Sequence, residues 1–308
     1  MGTTTTTKAK GASSLLGAAF IIGTFGLWVR LISPMLGNAA QTAGRFGIAA
    51  LLLGGFLLIR HKVARLARRE LFFAAIIGVA GFGTGFLFTI SANSTKITNS
   101  LALLYAGGII SAMLFGTVFL KEKLHFNKVI AGVVALLGLL MYAQDFSALS
   151  LGAIAAVGAG VCDSIAHVFR KQLRNVDRNT IVFYQYAVGA VVAICFTLFS
   201  GEHIVKAVSF WPIIGLVAYG MASVGLGKLL LYGFGHFDVN AGAVILATQL
   251  LFAGILGAVF LREFPSVREL AGVSLIFLAS VCAVVDLNKY FQKLTGRSPA
   301  PELDPNNT

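Results

Sequence analysis

Asp163 and His167 stand four residues apart in a stretch otherwise made mostly of small and aliphatic side chains. On a helix that spacing puts a carboxylate and an imidazole on one face, near enough to hydrogen-bond and to pass a proton. The chemistry open to such a pair is proton relay; the alternative is a self-satisfied pair that ties two helices together, with His167 near the helix end. Gln249, beside Thr248, and Tyr105 also lie inside apolar runs. Gln249 can offer both a donor and an acceptor to a polar ligand, and Tyr105 a ring and a hydroxyl. Their alternative is an interhelical hydrogen bond, worth about 0.6 kcal/mol on average in a membrane. Lys228 reads as a cation whose long stem reaches the nearer interface, and as an anion contact if it faces inward.

These groups need an account because of what surrounds them. The chain is 57% hydrophobic and 12% charged, with a mean hydropathy of +0.86. That composition excludes an ordinary soluble domain and identifies an integral membrane protein, in which a central charge costs at least about 2.5 kcal/mol on insertion scales. The apolar runs have the roughly 17 to 25 residues a spanning helix needs, without the alternation of a barrel strand. An all-α membrane protein with ten transmembrane helices follows. The spans fall near 12–32, 38–59, 71–92, 98–120, 127–143, 150–169, 179–200, 209–234, 240–261 and 267–286.

The second five spans repeat the first. Asn99, Gly116, Val118, Phe119, Leu120 and Glu122 recur at one constant offset as Asn240, Gly257, Val259, Phe260, Leu261 and Glu263. After a one-residue gap, Ala131 and Gly132 answer to Ala271 and Gly272. Copies that lie five spans apart, an odd number, must be inverted, which is the arrangement of secondary transporters. The copies differ where Gly108 stands opposite Gln249 and, in an approximate alignment, Trp28 opposite Asp163. Inverted spans approach the midplane from opposite sides, so Tyr105 and Gln249 fall where substrate sites form.

Charge placement tests the count independently. Alternate segments, at 8–10, 60–69, 121–128, 170–178 and 289–297, carry seventeen Lys and Arg, whereas the other set carries Lys96, Lys206, Arg262 and Arg268. Cytoplasmic loops hold the positive excess, so both termini are expected inside a prokaryotic inner membrane. The net charge of +12 is therefore a matter of topology and calls for no nucleic-acid partner. Residues 1–11 and 288–308 read as polar tails, the N-terminal one disordered, flanking repeats at 12–145 and 146–287. Cys162, Cys195 and Cys282 lack the spacing of a disulfide framework or a metal site. No hydrolase, metalloprotease or nucleotide-loop motif is present, so no enzyme, cofactor or ATP-driven step is expected. Glu122 and Glu263, repeated at both copies' turns, read as structural carboxylates that pair with Lys or Arg or accept from free helix amides. Gly81 and Gly85 form a small-xxx-small pair suited to close helix approach.

The Phe-Leu-Lys-Glu and Phe-Leu-Arg-Glu turns, each followed by Ala-Gly at the start of the next helix, and the stretch from Ala43 to Leu53 with Arg45 resemble the drug/metabolite transporter superfamily and its EamA-type members. The resemblance covers about Ser14 to Asp286. It departs at the middle of the fourth and ninth spans, where many members carry a proline and this chain has Gly107 and Gly108, or Thr248 and Gln249. The resemblance implies a helical basket around a central cavity and a small-molecule substrate, amino acids or related polar metabolites among them. It places the first, third and eighth spans on the cavity, making Trp28, Phe82, Tyr219 and Ser223 candidate lining residues. Arg45 matches a family position and is read as pairing with helix-end carbonyls or lipid headgroups. The expected function is alternating-access export of an amino-acid-like solute, with protons as a possible coupling ion. A phosphorylated or nucleotide-type substrate, a lipid-linked flippase and a scaffold with a filled centre stay open beside it.

Overall fold

The computed structural model describes residues 2–60, 65–95, 97–122, 126–142, 150–173, 176–202, 205, 208–261, 264 and 266–284. Twelve helices account for them, because lipid offers the backbone no partners and each span must satisfy its own amides. The first span is two helices, α1 (Gly2–Gly23) and α2 (Phe25–Ile32), meeting at Thr24. The second to fourth are α3 (Asn38–Ile59), α4 (Arg68–Ser94) and α5 (Ile97–Leu120), and the fifth is α6 (Phe126–Tyr142). The second half repeats the order with α7 (Leu151–Gln172), α8 (Arg178–Phe199) and α9 (Phe210–His236). Its fourth span divides into α10 (Val239–Leu246) and α11 (Gln249–Leu256), which runs into a π turn at Gly257–Leu261, and α12 (Val267–Val284) ends the series.

Packing shows the inversion directly. α4 lies on α7 as α9 lies on α1; α5 lies on α7 as α11 lies on α1; α4 lies on α8 as α9 lies on α3. Two pairs map onto themselves, α3 with α8 and α6 with α12. The two halves thus enclose a centre through their first four spans, and the fifth of each stands to one side against its counterpart.

Two expectations need correction. The N-terminal segment expected to be disordered is helical from Gly2, since a spanning helix already nucleated propagates cheaply. Its Gly11 also packs on the end of α9, where an added Cβ would lie 3.3 Å from His236 Cβ. The first and ninth spans are interrupted instead of continuous, at Thr24 and at Ala247–Thr248. Thr248 turns its hydroxyl onto the Ile245 carbonyl (2.7 Å), taking up an acceptor at the break. The C-terminal tail and Glu263 lie outside the described residues.

Each face of the protein carries one carboxylate that reaches from one half to the other. α5 ends in a turn with Lys121 in the left-handed region (φ 52°) and the Glu122 amide bonded to the Gly116 carbonyl (3.0 Å). That turn aims Glu122 at the start of α10, where it accepts from the Val239 and Asn240 amides (3.0 and 3.3 Å) and pairs with Lys171 (2.6 Å). On the opposite face Glu202, after α8, accepts from the Asn38 and Ala39 amides at the start of α3.

Candidate functional site

Between the halves lies a cavity of about 80 Å3. Every span except the fifth and the tenth contributes to its wall, as the pseudo-twofold packing requires. Of the sequence candidates, Tyr105, Asp163, Ser223 and Gln249 line it. Tyr105 comes from α5, Asp163 from α7 and Ser223 from α9, while Gln249 opens α11 at the break in the ninth span. That break packs on the one in the first span: a Cβ on Gly23 would sit 2.8 Å from Phe252 Cβ and 3.2 Å from the Gln249 carbonyl. Interrupted helices meeting near mid-membrane are a recurrent way of exposing polar groups to a substrate.

The Asp163 and His167 pair forms, and it is larger than the spacing suggested. His167 Nε2 lies 3.2 Å from one Asp163 oxygen and Arg170 Nη1 3.7 Å from the other. Arg170 Nη1 is 2.6 Å from His167 Nδ1. Arginine has no acceptor, so Nδ1 must accept and the proton resides on Nε2, which donates to Asp163. His167 also stacks on Phe234, with ring centroids 4.0 Å apart. Asp163 and Arg170 face the cavity, whereas His167 stands behind them and is absent from the wall.

Several wall groups are buried and unsatisfied. Among the described residues, neither amide atom of Gln249 has a hydrogen-bond partner, nor has Gln185 Oε1, Arg45 Nε or Arg170 Nε. Gln249 is fully buried and Arg45 is 5% exposed. An unpaired buried polar group costs about 1 to 3 kcal/mol, so five such atoms around one space point to a polar ligand.

Other candidates sit elsewhere. Trp28 is half-buried and donates from Nε1 to Thr24 Oγ1 (3.0 Å) at the helix break, so it is outside the wall. Phe82 stacks on Phe86 and meets Phe196, an aromatic cluster between the third and seventh spans (5.6 and 5.5 Å). Tyr219 lies one layer behind, its hydroxyl accepting from Arg45 Nη1. Lys228 points outward over the exposed Phe56 ring (5.8 Å), as a stem reaching for the interface would, and is not part of the cavity wall. Arg45 does not reach lipid headgroups; it lines the cavity within an aromatic box of Phe25, Phe46 and Tyr219. Gly85 makes this possible, since an added Cβ there would overlap Arg45 Nη2.

Sequence reasoning missed Arg170, Gln185 and Tyr186 and assigned Arg45 elsewhere. The spacing 163, 167, 170 was the available signal, one helix face extended by a further turn. Arg170 was instead counted with Lys171 and Arg174 in the basic loop set. Gln185 shared with Gln249 the signature of an amide within an apolar span.

Comparison with known proteins agrees with this architecture. The profile described as the EamA-like transporter family matches residues 9–144 and 150–285, one match per half. The chain is similar to the "Uncharacterized transporter" of Archaeoglobus fulgidus, 22% identical over 277 residues, covering 89% of this chain and 96% of that protein. It is also similar to the "Pseudopaline exporter CntI" of Pseudomonas aeruginosa, 29% identical over 272 residues, 86% of this chain and 92% of the relative. A solved crystal structure superposes with a TM-score of 0.72 at 20% identity, covering 89% of this chain and 96% of its own, a likeness of fold.

Proposed function

The chain belongs to the EamA-like transporter family, and we propose that this multi-pass membrane transporter is a secondary exporter of a small amino-acid-like solute that binds in the central cavity. The observation that carries the reading is the set of buried, unpartnered amide and guanidinium atoms around that cavity. Alternating access then follows from the pseudo-twofold: one half rocks against the other and exposes the same site to each face in turn. The positive-inside rule supports reading the basic face, with Arg60, Lys121 and Lys171, as the cytoplasmic one, with both termini on that side. A relative named as an exporter supports the outward direction. A central cavity also speaks against a scaffold, whose centre would be filled.

Asp163, His167 and Arg170 supply the coupling step. His167 can take a second proton only at Nδ1, which accepts from Arg170, so protonation must release that guanidinium. Arg170 and Asp163 both face the cavity, so the release changes the charge presented to the substrate. Flux of radiolabelled amino acids in proteoliposomes under an imposed pH gradient tests both parts. Accumulation in the wild type, with loss of its pH dependence in Asp163→Asn, is expected. PH dependence unchanged in that variant removes the proton role, and no flux of any amino acid removes the substrate reading.

A further inference from the structure

We infer that Arg45 is the specificity-determining residue of the cavity and binds a carboxylate of the transported solute through its Nε and Nη2 edge. This rests on the central cavity being the transport site. Arg45 lies seven residues into α3, about 10 Å along the helix from its start, too deep for a headgroup contact. Among the described residues no carboxylate lies within salt-bridge distance of it, in contrast to Arg170, which shares Asp163. With His167 neutral, the wall therefore carries two guanidinium groups against one carboxylate, an excess of one positive charge that a bound anion would balance.

The geometry selects the edge. Tyr219 takes the Nη1 hydrogen bond, and the rings of Phe46 and Tyr219 each lie 4.7 Å from Cζ, fixing the plane of the group. What remains is Nε, without a partner, and the neighbouring Nη2, which lies over Gly85 where a side chain would exclude it. Those two nitrogens point the same way and match the two oxygens of one carboxylate, the side-on fork that arginine offers and lysine cannot. Gln249, on the same cavity with both amide atoms unpartnered, can bond the polar group adjoining that carboxylate. An aromatic box alone would hold Arg45 as a structural cation, and it would be indifferent to what the solute carries.

The test is thermal-shift and calorimetric titration of the purified full chain with matched probes: each amino acid, its decarboxylated amine and its carboxamide. Expected are binding of carboxylate members by the wild type, at least tenfold weaker binding of the amine and amide, and a loss of at least tenfold on Arg45→Lys, which keeps the charge but not the fork. Gly85→Ala, which crowds Nη2 without altering charge, should weaken the same probes, and it serves as the second variant should Arg45→Lys misfold. Amines binding as well as their acids, or full carboxylate affinity in both variants, overturns the Arg45 assignment and leaves transport standing. Failure of every probe to bind the wild type overturns both.

Discussion

At the residue scale the wall of the cavity is less stable than it could be. Gln249 is buried with four hydrogen-bonding positions empty, and nothing in its packing requires an amide. Gln249→Leu should therefore leave thermal stability unchanged or raise it by up to about 1 kcal/mol, while abolishing solute binding. A melting curve with and without a bound probe checks this, and a large loss of stability would mean that Gln249 has a structural partner. Asp163 presents the converse. It is held by His167 and Arg170, so Asp163→Ala strands a buried guanidinium and should lower stability by about 3 kcal/mol, whereas Asp163→Asn keeps part of the contact. The contrast explains what could be read from the chain. A polar residue in an apolar run announces itself, as Gln249, Tyr105 and Asp163 do, whereas Ser223 is placed on the cavity only by the family resemblance. Its orientation does not, because orientation depends on which helix lies opposite. Lys228 and Arg45, both cations within spans, ended on opposite sides of the wall for that reason.

Elements are positioned by their ends and by their glycines. Ser150 and Asp177 accept from the Ala153 and Thr180 amides (3.2 and 2.8 Å), starting α7 and α8 where the sequence expected spans to begin. Glycine explains the closest crossing: a Cβ on Gly160 would overlap the Leu104 carbonyl and lie 2.6 Å from the Gly108 amide, so α5 and α7 meet backbone to backbone. That contact sets the depth of Asp163 against Tyr105, and Gly160→Val should prise the two spans apart and destabilise the fold severely, read as loss of a monodisperse elution peak. Helix number, order and ends were legible because apolar length and caps are local signals. The break at Thr248 was not, since no proline marks it and the Thr248 side chain satisfies the Ile245 carbonyl itself. Gly108 and Gln249, aligned by the repeat, show the consequence. Gly108 lies under Gly160 of α7, the glycine that lets the two helices close, and its counterpart begins a new helix with an amide facing the cavity.

For the molecule as a whole, the inverted halves exchange carboxylates across opposite faces. Glu122, of the first half, closes the basic face by capping α10 and pairing with Lys171, both of the second. Glu202, of the second half, closes the other face by capping α3 of the first. Each contact is a charge-assisted cap worth about 1 to 2 kcal/mol, comparable to the free-energy differences that set the populations of two conformers. Neutralising one should open its own face, and because the halves rock as bodies it should close the other. A variant lacking Cys162, Cys195 and Cys282 and carrying Ser223→Cys on the cavity wall reports this through labelling by a membrane-impermeant thiol reagent. Glu122→Gln should raise labelling from the basic face several-fold and lower it from the opposite face. Glu202→Gln should do the reverse. Movement of both variants in the same direction would show that the two carboxylates stabilise the fold in common and do not divide between its two open states.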